Sequence, residues 1–419
     1  MKKLIGIAVS LLATASLTVG AAYADNKIFK IWWYEAPDSA MGIAWKAALD
    51  EFQKSHPDVT VQFELKTFDQ IVKSGNMILN SDQAPDLVEY NKGNGVAGLA
   101  ASQGLMSPLD DVAKQRGWDK VLNDASTQLG RYDSKGIYGS GPLVGIADYG
   151  EFVSFFYNKK MFDDAGIKVP TTLAELESDM DAFVKKGITP IAEAANDYPA
   201  QHLLYSFALS QVDQTWVHNF EGLKAPLDTA PLVYAAKKMQ EWVAKGYISK
   251  DSTGLKADDM AGLFKSGKSP MVVTGTWYST QFGKLDFPVD KFLFPGAKIV
   301  PASTGNIWIV PTNAKQKDLA YDFIDLTLGK ENQTLLGNSG GLPIAADPAS
   351  ITDPVAKRDA TLFNQLVAQD GLGFYPDWPV PGFYDLMLKS TQAVIGGTLT
   401  PDDFGKRLKD TYDAAQSSQ

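Results

Sequence analysis

The chain has 419 residues, with 49 Asp+Glu against 39 Lys+Arg, a formal net charge of −10, and no cysteine. The absence of cysteine excludes disulfides, thiolate metal sites and a cysteine nucleophile, and the acidic balance disfavours nucleic acid and anionic membrane surfaces as partners. The length suits two domains, and the 11% aromatic content exceeds ordinary packing needs, as in proteins that bind ligands with flat faces.

Met1-Lys2-Lys3, an apolar run over 4–17 and the small residues Ala22 and Ala24 form the pattern of a secretory signal peptide. The run is too short for a membrane span, so residues 1–24 are expected to be removed and the mature chain to begin at Asp25. Without a cysteine for lipid attachment, a Gram-negative periplasm is the expected location.

A strand over 29–33 opens the mature chain. Met41, Trp45, Ala48, Leu49 and Phe52 then mark one face of a helix, capped by Asp38 or Ser39 and stopped before Pro57. Residues 59–65 alternate as a strand with one buried face, and a further strand follows Pro85 over 86–90. Strand, helix and strand at this spacing predict a βαβ unit and a parallel sheet. The same grammar recurs in a strand over 152–157, a helix over 171–184 entered through Pro170, and a short strand over 271–274. A helix over 318–328 is expected to end at Gly329 as a C-cap, and one entered at Thr400-Pro401 carries Phe404, Leu408 and Tyr412. The chain contains no internal repeat and no flexible linker, so its two domains should be joined by short crossings.

Chemistry-bearing motifs are scarce. The three histidines, His56, His202 and His218, are far apart in sequence and none forms an HExxH pair, which leaves no nitrogen or sulfur framework for a metal. The glycine runs at 93–95 and 136–141 lack the P-loop lysine and dinucleotide-binding spacing, and read as turns. No GxSxG elbow is present. Carboxylates are abundant enough to supply a glycosidase pair, so a secreted glycoside hydrolase stays open as the enzyme alternative. No catalytic residue, cofactor or metal site is assigned.

Five segments in order resemble the extracellular solute-binding proteins of ABC-type sugar importers, the family that includes maltose-binding protein. They are Trp32-Trp33 with FQKSHPDVTV at 52–61; APDLV at 84–88; YNKKMFDDAGI at 157–167; FKSGKSPM at 264–271 with GTW at 275–277; and AYDFI at 320–324 with GLP at 341–343. The resemblance implies an α/β fold of two lobes with a ligand cleft at the hinge, crossed three times by the chain. The crossings are placed at 147–149, 301–306 and 338–341, giving an N-lobe of 25–148 plus 304–339 and a C-lobe of 149–303 plus 340–419.

It also implies a monomeric carrier that binds a carbohydrate, a di- or oligosaccharide for preference with a monosaccharide or polyol open, closes about it, and delivers it to ABC permease subunits or to a sensor. Family positions carry over to Trp33, Glu35 and Asp38 after the first strand, and to Tyr90, Asn91 and Asn94 after the Pro-Asp-Leu-Val strand. They carry over likewise to Glu151, to Asp197 and Tyr198 before Pro199, to Trp277, and to Trp378 and Tyr384 in a late aromatic stretch. Lys92 and Gly93 depart from maltose-binding protein. The general rule that ligands sit beyond the carboxyl ends of strands in such sheets independently selects residues 33–35, 90–94 and Trp277.

Overall fold

A computed structural model describes residues 27–418; the expected signal peptide and its cleavage point lie outside the described residues. The first strand, β1 (Lys27–Trp33), runs parallel to β2 (Val59–Leu65) and to β3 (Leu87–Tyr90). Helix Ala40–Ser55 connects β1 to β2, and Ser39, not Asp38, caps it by accepting the Gly42 N–H at 3.1 Å. Its buried stripe of Met41, Trp45, Ala48, Leu49 and Phe52 is the predicted one, packed over Phe29 and Ile31 of β1.

A small ribbon, β4 (Arg131–Tyr132) with β5 (Tyr138–Leu143), precedes β6 (Ile146–Ala147). The chain then enters a second sheet through β7 (Glu151–Asn158), which is buried along its whole length. That sheet gains β8 (Ile191–Ala192), β9 (Met271–Gly275), β10 (Val289–Phe292) and β11 (Val300–Ser303). The chain returns to the first sheet as β12 (Ile307–Ile309) and later adds β13 (Leu372–Gly373) to the second. The strand orders are β2-β1-β3-β12-β6 and β13-β11-β7-β9-β8, with β10 also on β7.

Both main sheets are mixed: the expected parallel pairing holds for β1, β2 and β3 in the first and for β8–β9 and β11–β13 in the second, and their other pairings are antiparallel. The reason lies in the route of the chain. β12 arrives from the second sheet at the carboxyl end of β3, so Ile307 meets Tyr90 and the strand can only run antiparallel.

Each sheet has its own core. Helix Pro199–Leu209 is buried at every residue, its polar Gln201, His202 and Ser206 included, and its Phe207 anchors the second core with Trp242 and Tyr412. Trp45, Trp308 and Phe323 anchor the first. Two cores under two sheets make two α/β lobes.

Helix Lys317–Leu328 stops at Gly329 as expected, but that residue has φ −56° and ψ 139°, extended and not left-handed. It must also start the next helix, Lys330–Asn338. Among the described residues, no helix is long and apolar enough to cross a membrane.

Between β11 and β12 the chain turns at Gly305, where φ is +109° and an added Cβ would lie 1.7 Å from the Tyr149 carbonyl oxygen. Two passages of the chain are therefore pressed together where the lobes join. Gly305→Ala is expected to cost about 2 kcal/mol or more, read as a fall of several degrees in the melting temperature by circular dichroism; an unchanged melting temperature would contradict this packing.

Candidate functional site

The carboxyl ends of β1 and β3 face the carboxyl end of β9 across a cavity of about 300 Å³. Tyr34 and Glu35 enter it from β1, Asn91 and Lys92 from β3, and Trp277 from β9. Tyr149, Glu151 and Asn306 come from the segments that pass between the sheets. Strand ends collect ligand-facing groups because side chains there are held by the sheet while the chain turns away.

A polar network forms the floor. The Lys92 ammonium pairs with Glu151, both side chains nearly buried, and donates to Asn306 Oδ1 at 3.0 Å. Ser303 Oγ donates to the same Glu151 oxygen at 3.0 Å. Tyr149 Oη donates to Glu35 Oε1 at 2.7 Å, and Asn306 Nδ2 donates to Tyr149 Oη at 2.8 Å. Burial, then the neighbouring Glu89 charge, pushes the Glu35 carboxyl well above the usual carboxylate range, against the opposing Tyr149 hydrogen bond. Behind it, burial also raises Glu89 and Asp148.

Aromatic rings form the opposite wall. Trp277 Nε1 donates to Tyr198 Oη at 3.3 Å, and its ring meets Tyr198, His202 and Tyr375 edge-on at 5.9, 5.7 and 6.4 Å. The indole folds back over its own strand end, which only Gly275 allows: a Cβ there would lie 1.9 Å from the ring. Phe68 of the first lobe meets Tyr198 and Tyr384 at 6.3 and 5.9 Å, so aromatic contact spans the two lobes. Burial holds His202 down to about 3, so its ring is neutral at pH 7. Among the described residues, Tyr34 Oη, Gln201 Nε2 and His202 Nδ1 are buried without a hydrogen-bond partner. Each such group costs about 1–3 kcal/mol unless a ligand satisfies it.

Of the residues selected from sequence, Glu35, Asn91, Glu151, Tyr198, Trp277 and Tyr384 line this cavity; the others lie outside its lining. Trp33 stacks on Phe63 at 4.8 Å in the first core, because its strand alternates and the odd positions face inward. Tyr90 is buried, its Oη donating to Asn76 at 2.9 Å. Exposed Asp38 accepts a 2.6 Å hydrogen bond from Gln281 of the other lobe. Asp197 sits one step behind the wall, accepting from Tyr384 Oη at 3.4 Å. Trp378 stacks on Phe374 at 4.2 Å.

The strand-end rule had selected the stretches 33–35 and 90–94, which hold the lining residues Tyr34 and Lys92, but sequence reasoning missed Phe68, Tyr149, Gln201, His202, Asn306, Tyr375 and Asp377. Some carried a signal. His202 lies four residues after Tyr198, hence on the same face of a helical turn, and Tyr375 and Asp377 belong to the aromatic stretch already singled out. Among the described residues, no group of three or more His, Cys, Asp or Glu is placed to hold a metal ion.

Beside the cavity, the lobes meet in a second seam. Asn94 of the first lobe donates to the Glu221 carbonyl at 2.7 Å and accepts from Tyr138 N at 3.0 Å. The Glu221 carboxyl accepts from Tyr138 Oη at 2.9 Å and Phe374 N at 2.7 Å. Trp378 covers Gly93 and Tyr138, ring to ring at 5.0 Å with the latter. The second lobe thus rests directly on the first.

The sequence profile of the bacterial extracellular solute-binding proteins matches residues 37–334, most of the chain. The chain belongs to this family. A Rhizobium meliloti protein described as sugar-binding and periplasmic is 27% identical over 208 residues, a match spanning 47% of either chain and so less than half the length of each. A binding protein of Brucella abortus is 24% identical over 84% of both chains.

Among solved structures, a chitin oligosaccharide binding protein superposes with a TM-score of 0.78 at 21% identity, over 94% of this chain and 100% of that one. The GacH receptor of Streptomyces glaucescens, solved with acarbose, gives 0.74 at 20% identity, over 94% and 99%. At such identities these likenesses establish the fold: this family member is built like two-lobed binding proteins.

Glu221 yields a pH prediction. Burial raises its carboxyl from 4.5 to about 8, so the folded protein holds a proton there that the unfolded chain releases. Stability from this group is present below pH 4.5 and lost as pH rises through 8, at up to about 1.4 kcal/mol per pH unit. In urea titrations between these limits, Glu221→Gln should lose less stability with rising pH than the parent. Parallel profiles would contradict a buried protonated carboxyl.

Proposed function

We propose that the chain is the ligand-capturing component of an ABC-type importer, binding a di- or oligosaccharide between its lobes and catalysing no reaction. The observation that carries this reading is the inter-lobe cavity, where aromatic rings line one wall, a hydrogen-bonded polar network forms the floor, and Tyr34 Oη, Gln201 Nε2 and His202 Nδ1 are buried without partners. A pyranose has apolar C–H faces that stack on rings and a rim of hydroxyls that need donors and acceptors. Tyr34, Gln201 and His202 supply the polar partners, and Trp277 with Tyr198 and Tyr375 the apolar faces. The sugar-related descriptions of the Rhizobium meliloti protein and of the solved neighbours favour the same class. A monosaccharide is the second reading, favoured by the cavity of about 300 Å³, the space of about ten waters in the liquid.

The lobes are taken as residues 25–148 with 304–339 and 149–303 with 340–419. Ligand contacts made to both at once favour the closed state over an open one. Glu35, Asn91 and Lys92 would hold the sugar from one side, and Tyr198, Trp277 and Tyr384 from the other. The closed carrier, exported as a monomer to the periplasm after cleavage behind Ala24, then docks on membrane permease subunits.

A thermal-shift screen of the chain from Asp25 against mono-, di- and oligosaccharides tests this. A sugar at 100 times its dissociation constant adds about 2.7 kcal/mol, a shift of a few degrees. Trp277→Ala should weaken that binding at least about 30-fold, the loss typical of a central aromatic anchor. No shift with any sugar, or consumption of the one that binds, would overturn the reading.

A further inference from the structure

We propose that the Lys92–Glu151 pair is a charge filter that restricts the site to uncharged sugars, with Lys92 the residue that excludes amino sugars. The inference rests on the carbohydrate reading above and deepens it. Lys92 follows β3 in the first lobe and Glu151 begins β7 in the second, so the pair joins the lobes at the cavity floor. Both side chains are almost fully buried. The ammonium also lies 4.7 Å from the centre of the Tyr375 ring and donates to Asn306, which fixes it from several sides.

The rest of the deep lining carries little charge of its own. Burial pushes the Glu35 and Asp377 carboxyls upward, toward their neutral acid forms, and leaves His202 neutral. Asp258 and Lys265, the other charged lining residues, are exposed at the rim. The buried ion pair itself presents hydrogen-bonding capacity without net charge.

An incoming ammonium would meet the buried Lys92 cation, and an incoming carboxylate the Glu151 anion. Like charges brought together out of water are strongly disfavoured, far more than at an exposed surface. Removing one partner of a buried pair leaves the other uncompensated. Each single substitution should therefore convert the filter into a receptor for the opposite charge: Lys92→Met toward amino sugars, Glu151→Gln toward uronates.

The test uses matched sets, glucose with glucosamine and glucuronate, galactose with galactosamine and galacturonate, and cellobiose with the glucosamine disaccharide. Affinities are measured by calorimetry on the full mature chain. The parent should bind a neutral member at least 10-fold better than its charged analogues. Lys92→Met should shift the amino-to-neutral ratio at least 10-fold upward, Glu151→Gln the uronate-to-neutral ratio likewise, and the double variant should return both ratios toward the parent. Because the ratios are compared within one variant, a general loss of affinity or stability does not mimic the result. Unchanged ratios in both single variants, with neutral sugars still bound, would overturn the filter alone. A parent that binds an amino sugar best would also overturn it, whereas a parent that binds no member of any set would count against the carbohydrate reading itself and the filter with it.

Discussion

Four carboxyl groups, Glu35, Glu89, Asp148 and Glu151, are buried where the two sheets of this molecule meet, and a folded chain has to neutralise them there. The Lys92 ammonium takes one. Tyr149, Asn306, Tyr34 N and Trp45 Nε1 supply hydrogen bonds to Glu35 and Glu89, and burial shifts the acids that have no cation toward their protonated forms. Breaking such a network piecemeal is more costly than keeping it whole, because each orphaned group retains its desolvation penalty.

That constraint explains why the site lies at the junction of the lobes. The donors and acceptors come from separate stretches of chain: strand ends in one lobe, the passages between lobes, and the start of β7 in the other. Only at the junction do they converge. The aromatic wall, in contrast, is contributed mainly by the second lobe, from Tyr198, His202, Trp277 and Tyr375. Polar floor and aromatic wall together suit a ligand with hydroxyls on its rim and hydrocarbon on its faces.

Much of this was legible in the sequence where local rules apply. The helix at 40–55 could be read from its apolar spacing, and β2 from its alternation, because period alone decides those elements. Trp277 followed from its place after a buried strand, and Glu151 from family resemblance. Trp33 misled because the same alternation that predicted its strand also points it inward, onto Phe63. Lys92 fell within the stretch that the strand-end rule selects and stood out as a departure from the family pattern, but its partners were hidden, since Glu151 and Asn306 lie 59 and 214 residues away. The antiparallel entry of β12 was hidden for a similar reason: strand direction there is set by where the chain comes from, which no local pattern encodes.

The most direct measurement of the central claim is native mass spectrometry of the mature chain incubated with a mixed sugar pool, followed by unfolding and identification of what is released. The account predicts one sugar per chain, recovered chemically unchanged. A cleaved or otherwise altered sugar, or a chain that emerges from every pool without one, would contradict it.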